Sequence, residues 1–196
     1  MDGVICDFEL ALMEQFQREH PDEPYISVDE REGFYCSKQY EALKPRLGGY
    51  VKDIISSEGF ISHLPPISGA LQSLRWLDEL PDVEIWLCST PLTAWRNCVP
   101  EKYEWVEKNL GTDFVRKLIL TKDKTIIKAD ALIDDKPEIT GSEEPPLFGR
   151  HVMFTQPYNQ HIRTGDRLDG WFKSRQEAVN FVARIKSGQR LIYQQH

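Results

Sequence analysis

An α/β fold on a parallel sheet is predicted from three features of the sequence. Short apolar runs recur at residues 83–88, 118–120, 131–133 and 152–154, helical stretches separate them, and hydroxyl or acidic residues directly follow two of the runs. Short apolar strands alternating with helices are buried on both faces, as parallel crossovers require. Sheets of this kind bind ligands at the carboxyl ends of their strands.

The elements follow in order. Residues 9–20 place Leu10, Met13 and Phe16 on one helical face, residues 21–27 form a Pro-containing loop, and a second helix starts near residue 37. A third helix spans about 49–57, where Tyr50, Val51, Ile54 and Ile55 recur at helical offsets, and Pro65-Pro66 then breaks the pattern. Residues 9–64 are therefore expected to be a small helical cap inserted in an α/β core made of 1–8 and 65–196. In that core a helix over 69–80 precedes the strand at 83–88, and a helix over 101–110 precedes the strand at 118–120. The strands at 131–133 and 152–154 come next, and a last helix over 175–185 carries Ala178, Phe181, Val182 and Ile185. No internal repeat or low-complexity segment interrupts the series.

Composition narrows the function. A chain of 196 residues is long enough for one α/β domain with an insertion, or at most two small domains. A net charge of −7 and a pI near 5.3, with no Lys/Arg-rich stripe, argue against a nucleic-acid polymer as partner, so an anionic substrate must be met by a local site. Cys6, Cys36, Cys88 and Cys98 form no CxxC pair, and Cys88, inside an apolar run, reads as a reduced, buried thiol. No run of ~20 apolar residues suggests a membrane span. Neither a signal-peptide nor a transit pattern opens the chain, which favours the cytosol, with a mitochondrial address as the alternative.

Three features after the strands suggest chemistry. Asp134-Asp135 follows 131–133, and either offers carboxylates to a hard divalent cation or makes an acidic turn before Lys136-Pro137. Ser89-Thr90 follows 83–88, and either binds phosphoryl oxygens or caps a helix. Lys124, in the polar stretch Thr121-Lys122-Asp123-Lys124-Thr125, either neutralises phosphate or is a solvated lysine. Their shared placement at strand ends favours the site reading for all three.

The stretches Met1–Glu9, Arg31–Tyr35, Glu101–Lys108, Leu120–Thr125, Leu132–Gly141 and Asn159–His161 together make the chain resemble a haloacid-dehalogenase-superfamily phosphatase, and within it the 5′(3′)-deoxyribonucleotidases. The resemblance covers nearly the whole chain. It implies a Rossmann-like three-layer sheet with a helical cap, a magnesium cofactor, a nucleoside monophosphate substrate such as dUMP or dTMP, and a homodimer. By the same resemblance Asp2 is the acid/base and its backbone carbonyl a magnesium ligand. Asp135 is a metal ligand with Asp134 beside it, Ser89 and Thr90 contact phosphate, and Lys124 and Lys102 supply positive charge. Phe8, Phe34 and Tyr35 form the aromatic pocket for base and sugar, with ordinary core packing as the competing reading of each.

In the family, one aspartate attacks phosphorus to give an aspartyl-phosphate, and the second aspartate protonates the leaving group and then activates water. In this chain the spacing to Asp7-Phe8-Glu9 makes Asp2 the second aspartate, so the nucleophile and the central strand before it are expected to be missing, and the sheet to be rearranged or weakened. Ser89, Tyr35 and Lys136 stand where the family more often has Thr, Trp and Arg, which leaves base and 5′ versus 3′ preference open. A catalytically inactive nucleotide binder, or a phosphatase for another small phosphorylated substrate, are the alternatives.

Overall fold

The structure, a computed structural model, describes residues 1–191. Seven α-helices and five strands are present among them: α1 (Phe8–Glu19), α2 (Cys36–Leu43), α3 (Leu47–Ser56), α4 (Ala70–Asp78), β1 (Leu87–Ser89), α5 (Trp95–Leu110), α6 (Thr112–Val115), β2 (Leu118–Leu120), β3 (Leu132–Asp134), β4 (His151–Phe154), β5 (Asp166–Leu168) and α7 (Arg175–Ser187). All strand pairs are parallel, as the α/β reading expects.

Helix positions follow from local chemistry. The Asp7 carboxylate accepts from Leu10 N at 3.1 Å and starts α1, which buries Leu12 and Phe16. Ser174 caps α7 in the same way, and α7 ends at Gly188 in a left-handed conformation. Helix α5 begins six residues before the predicted 101 and runs through Pro100. Pro100 is the sixth residue of α5, past the first turn, so it removes the backbone bond to the Arg96 carbonyl and crowds that carbonyl.

The sheet is in two parts, β1-β2 and β3-β4-β5. In a parallel ladder alternate residues bond to opposite sides. Leu87 and Ser89 bond to β2, and Leu132 and Asp134 to β4, so the peptide groups of Cys88 and Ile133 point away from their partners, toward edges that carry no strand among the described residues. The one-sided pairing explains why β1 is shorter than the run at 83–88. Residues 83–86 lie outside the ladder, and Trp86 is 48 % exposed. Cys88 is consequently half-buried, in place of the full burial that its apolar run predicts, and all four cysteines are free.

The N-terminal turn packs against Asp135 at the end of β3. The Met1 carbonyl accepts from the N–H groups of Val4, Ile5 and Cys6, and Gly3 N donates to Cys6 O at 2.9 Å. Trp171 Nε1 donates to Val4 O at 2.7 Å, and Ile67 N to Ile5 O at 2.9 Å, fixing the turn to the core. Gly3 has φ +69°, and a Cβ there would lie 2.5 Å from Asp135 Oδ2 and 2.9 Å from the Tyr158 hydroxyl. Gly3→Ala should therefore cost about 1–3 kcal/mol, read as a lower denaturant midpoint at unchanged m-value. An unchanged midpoint would mean that the turn does not press on Asp135.

The largest fully buried side chains include Trp105, Tyr40 and Phe16, and Trp105 Nε1 donates to Leu64 O at 2.7 Å. Helices α1, α2 and α3 pack on one another, and α4 packs on α7. No helix among the described residues is long and apolar enough to cross a membrane.

Candidate active site

A cavity of about 390 Å³ opens where β1 and β3 end. Nine of the residues singled out from sequence line it: Asp2, Phe8, Phe34, Tyr35, Ser89, Thr90, Lys124, Asp134 and Asp135. The tenth, Lys102, is fully buried behind Asp2 on α5, and its ammonium sits 2.5 Å from Asp2 Oδ2. Its charge therefore reaches the cavity through Asp2.

The polar side is built from ion pairs. Burial alone would raise the Asp2 pKa, but the charge and hydrogen bond of Lys102 hold it below the usual carboxylate range. Burial works against Lys124 as well, yet the neighbouring Asp134 keeps its pKa raised; the two side chains are hydrogen-bonded, with Asp134 almost wholly buried. Asp134 also accepts from Lys136 N at 3.0 Å. The loop carrying Lys124 is held by Asp123, whose carboxylate accepts from Thr125 N at 2.9 Å, Ser142 N at 2.8 Å and Ser142 Oγ at 2.7 Å. Hydrogen bonds from Thr125 and Ser142 pull the Asp123 pKa well below the ordinary value.

Asp135 is different. Burial and the adjacent Asp134 charge push its carboxyl up to about 7, although the Tyr158 hydroxyl donates to Oδ2. Asn159 Nδ2 donates to its backbone carbonyl at 2.8 Å. In an unfolded chain this carboxyl titrates near ~3.9. Its contribution to stability is thus fully present below that pH and is lost as pH rises through about 7, because the folded form holds a proton that the unfolded form has released. Metal-free Asp135→Asn, which still accepts from Tyr158, should be more stable than the parent at pH 8 by on the order of 2–4 kcal/mol and little changed at pH 4. Melting curves at the two pH values test this; equal melting at pH 8 would contradict it.

The aromatic side is formed by Phe8, Phe34 and Tyr35. Phe34 meets Tyr35 edge-on at 5.2 Å and Tyr158 edge-on at 6.0 Å, and the Lys136 ammonium lies 5.9 Å from its ring. Tyr35 is 56 % exposed at the rim. Sequence reasoning missed Tyr158, Glu9 and Ile55, which also line the cavity. Ile55 has a helical apolar signal but no mark of a ligand wall, and nothing local distinguishes Tyr158 from a core aromatic.

Among the described residues no three His, Cys, Asp or Glu side chains are grouped as metal ligands. Asp2 leans on Lys102, Asp134 on Lys124 and Asp135 on Tyr158. The chemistry nonetheless suits a hard cation. Asp2 Oδ1 is buried without a hydrogen-bond partner, Asp135 is buried at the cost of its charge, and magnesium commonly takes only one or two carboxylates along with water.

Parallel strands between helices, with an acid pair, a lysine and a hydroxyl gathered at the strand ends, define an α/β protein of the haloacid-dehalogenase type. Comparison with known proteins narrows this. The family described as "5' nucleotidase, deoxy (Pyrimidine), cytosolic type C protein" matches over residues 1–186, and the chain belongs to that family. It is 42 % identical over 183 residues to the human "5'(3')-deoxyribonucleotidase, cytosolic type", covering 92 % of this chain and 90 % of the relative. It is 40 % identical over 174 residues to the human mitochondrial 5'(3')-deoxyribonucleotidase, covering 87 % and 76 %. A putative 5'(3')-deoxyribonucleotidase of Bordetella pertussis is 42 % identical over 168 residues, covering 86 % and 87 %.

Proposed function

We propose that this chain forms the site of a magnesium-dependent phosphatase of deoxyribonucleoside monophosphates such as dUMP and dTMP. The observation that carries this reading is one cavity with an aromatic wall at one side and Lys124, Ser89, Asp2 and Asp135 at the other. The phosphate is held by Lys124, Ser89 and Thr90, and the base stacks between Phe8, Phe34 and Tyr35, which tolerates several bases. Asp2 and Asp135 would hold magnesium, which neutralises charge on the phosphoryl oxygens when bound. Asp134 supports the site by fixing Lys124. Residues 9–64 act as the cap that brings the aromatic wall over the strand ends.

The chemistry calls for a nucleophilic carboxylate beside Asp2, two residues ahead of it in the motif's spacing. That carboxylate attacks phosphorus and forms an acyl phosphate while the nucleoside oxygen leaves with a proton from Asp2. Asp2 is ionised in the ligand-free site, the form that later activates water. The incoming phosphate dianion raises its pKa, as any nearby like charge does, so that Asp2 takes up from solvent the proton it passes to the leaving oxygen.

A second reading, a nucleotide binder without turnover, is favoured by one observation. Asp2, Asp134 and Asp135 each already hold a partner, Lys102, Lys124 and Tyr158, an arrangement that suits holding a ligand's charge in place. A cytosolic location and a homodimer complete the proposal; the free thiols fit a reducing compartment.

Titration with dUMP, dTMP, 2-deoxyribose 5-phosphate and glucose 6-phosphate, with and without magnesium, tests the substrate class. Base stacking worth ~1–3 kcal/mol predicts nucleotides binding ~10–100-fold more tightly than sugar phosphates. Equal affinities would remove the nucleotide assignment.

A further inference from the structure

Arg31 does not line the cavity, yet it touches most of what holds the aromatic wall in place. It is 3 % exposed and lies between α1, the turn carrying Phe34-Tyr35, α2 and Tyr158. Its Nε donates to Glu9 Oε2 at 2.6 Å and its Nη2 to Glu9 Oε1 at 3.4 Å. Nη1 donates to the Glu32 carbonyl and Nη2 to the Gly33 carbonyl, both at 3.4 Å, and Nη1 also meets the Gln39 side chain. Gln39 in turn accepts from Glu32 N at 2.9 Å and donates to Glu30 O at 2.7 Å. The guanidinium carbon lies 5.8 Å from the centre of the Tyr158 ring, against which Phe34 rests.

Glu9 directly follows Phe8, so the ion pair spans the cavity wall from one aromatic residue to the other two. The wall has few other supports. Gly33 turns the chain at φ +68° with open space around it, and Tyr35 is more than half exposed. A planar fork with several donors can fix two carbonyls and a carboxylate at once, whereas an ammonium is a single point charge.

We propose that Arg31 is a positioning residue for base recognition, holding Phe34 and Tyr35 opposite Phe8 through Glu9 and the Glu32 and Gly33 carbonyls. The inference rests on the aromatic wall binding a nucleobase. It predicts an effect on ligands that carry a base and none on ligands that carry only sugar and phosphate.

The test is binding of dUMP and of 2-deoxyribose 5-phosphate, measured calorimetrically with magnesium well below the melting temperature. Arg31→Lys keeps the charge and loses the fork; the dUMP dissociation constant should rise about tenfold while that of deoxyribose 5-phosphate changes less than about twofold. If Arg31 acts only through the wall, Phe34→Ala should bind dUMP equally weakly with or without Arg31→Lys. Glu9→Gln with Arg31→Met removes both charges together, leaves no unpaired charge, and should show the same split should the single variant misfold. Equal loss for both ligands, or additive losses with Phe34→Ala, would make Arg31 merely structural and overturn the proposal. Unchanged dUMP binding would overturn it too. Parent protein that binds both ligands equally would instead refute the base-binding reading, and this inference would fall with it.

Discussion

Lys124→Met should weaken dUMP binding by about one to two orders of magnitude and destabilise the fold at the same time, by about 3–5 kcal/mol. The two effects have different origins. Lys124 and Asp134 form a nearly enclosed ion pair, with side chains 14 % and 3 % exposed. Removing one partner leaves a buried carboxylate whose remaining partner is Lys136 N. On the proposed phosphate assignment, binding weakens because the cavity loses a lining cation and its charge-assisted contact with the phosphoryl oxygens. The double variant Lys124→Met, Asp134→Asn separates them. With no orphaned charge it should recover most of the stability, seen by chemical denaturation, and none of the dUMP affinity. Recovery of both would show that Lys124 only holds Asp134 in place and never meets the phosphate.

A strand of about five apolar residues ending in Asp, joined directly ahead of Met1, should fill the space between the two sheets. The peptide groups of Cys88 and Ile133 point there from β1 and β3. Each buried and unpaired group costs ~1–3 kcal/mol. Cys88 and Ile133 are only half-buried, so water offsets part of that cost, and ordering the added residues costs ~1–2 kcal/mol each. Burial of the apolar side chains covers the ordering cost, and a net gain of about 2–5 kcal/mol is expected, a rise in melting temperature on the order of 5–15 °C. Scrambling the added residues into a polar segment of the same length should give no rise.

Much of the fold and site is legible in the sequence, and the exceptions have physical causes. The apolar spacing of Leu10, Met13 and Phe16 locates α1 to within a residue, and the run at 118–120 coincides with β2. In contrast, β5 reads Asp166-Arg167-Leu168, with one apolar residue and no alternation. That strand is made by tertiary bonds: Arg167 donates to the carbonyls of Asn159 and Ile162 and to the Thr155 hydroxyl. In the cavity, the residues directly after strands can be found because strand ends are where parallel sheets bind ligands. Tyr158 cannot, since its link to Asp135 joins positions 23 residues apart through the fold. Asp123 lies inside the polar stretch around Lys124, but its role as anchor depends on Ser142, 19 residues further on.

The proposed chemistry turns on a carboxylate two residues ahead of Asp2. Magnesium-dependent release of inorganic phosphate from dUMP should be followed for this chain beside the version extended by the apolar strand and its aspartate, and beside the same extension ending in Asn. Turnover is expected only with the aspartate, and nucleotide binding in all three. Equal turnover by the unextended chain would mean that another group attacks phosphorus, and would contradict both the acid/base role of Asp2 and the need for a carboxylate ahead of it.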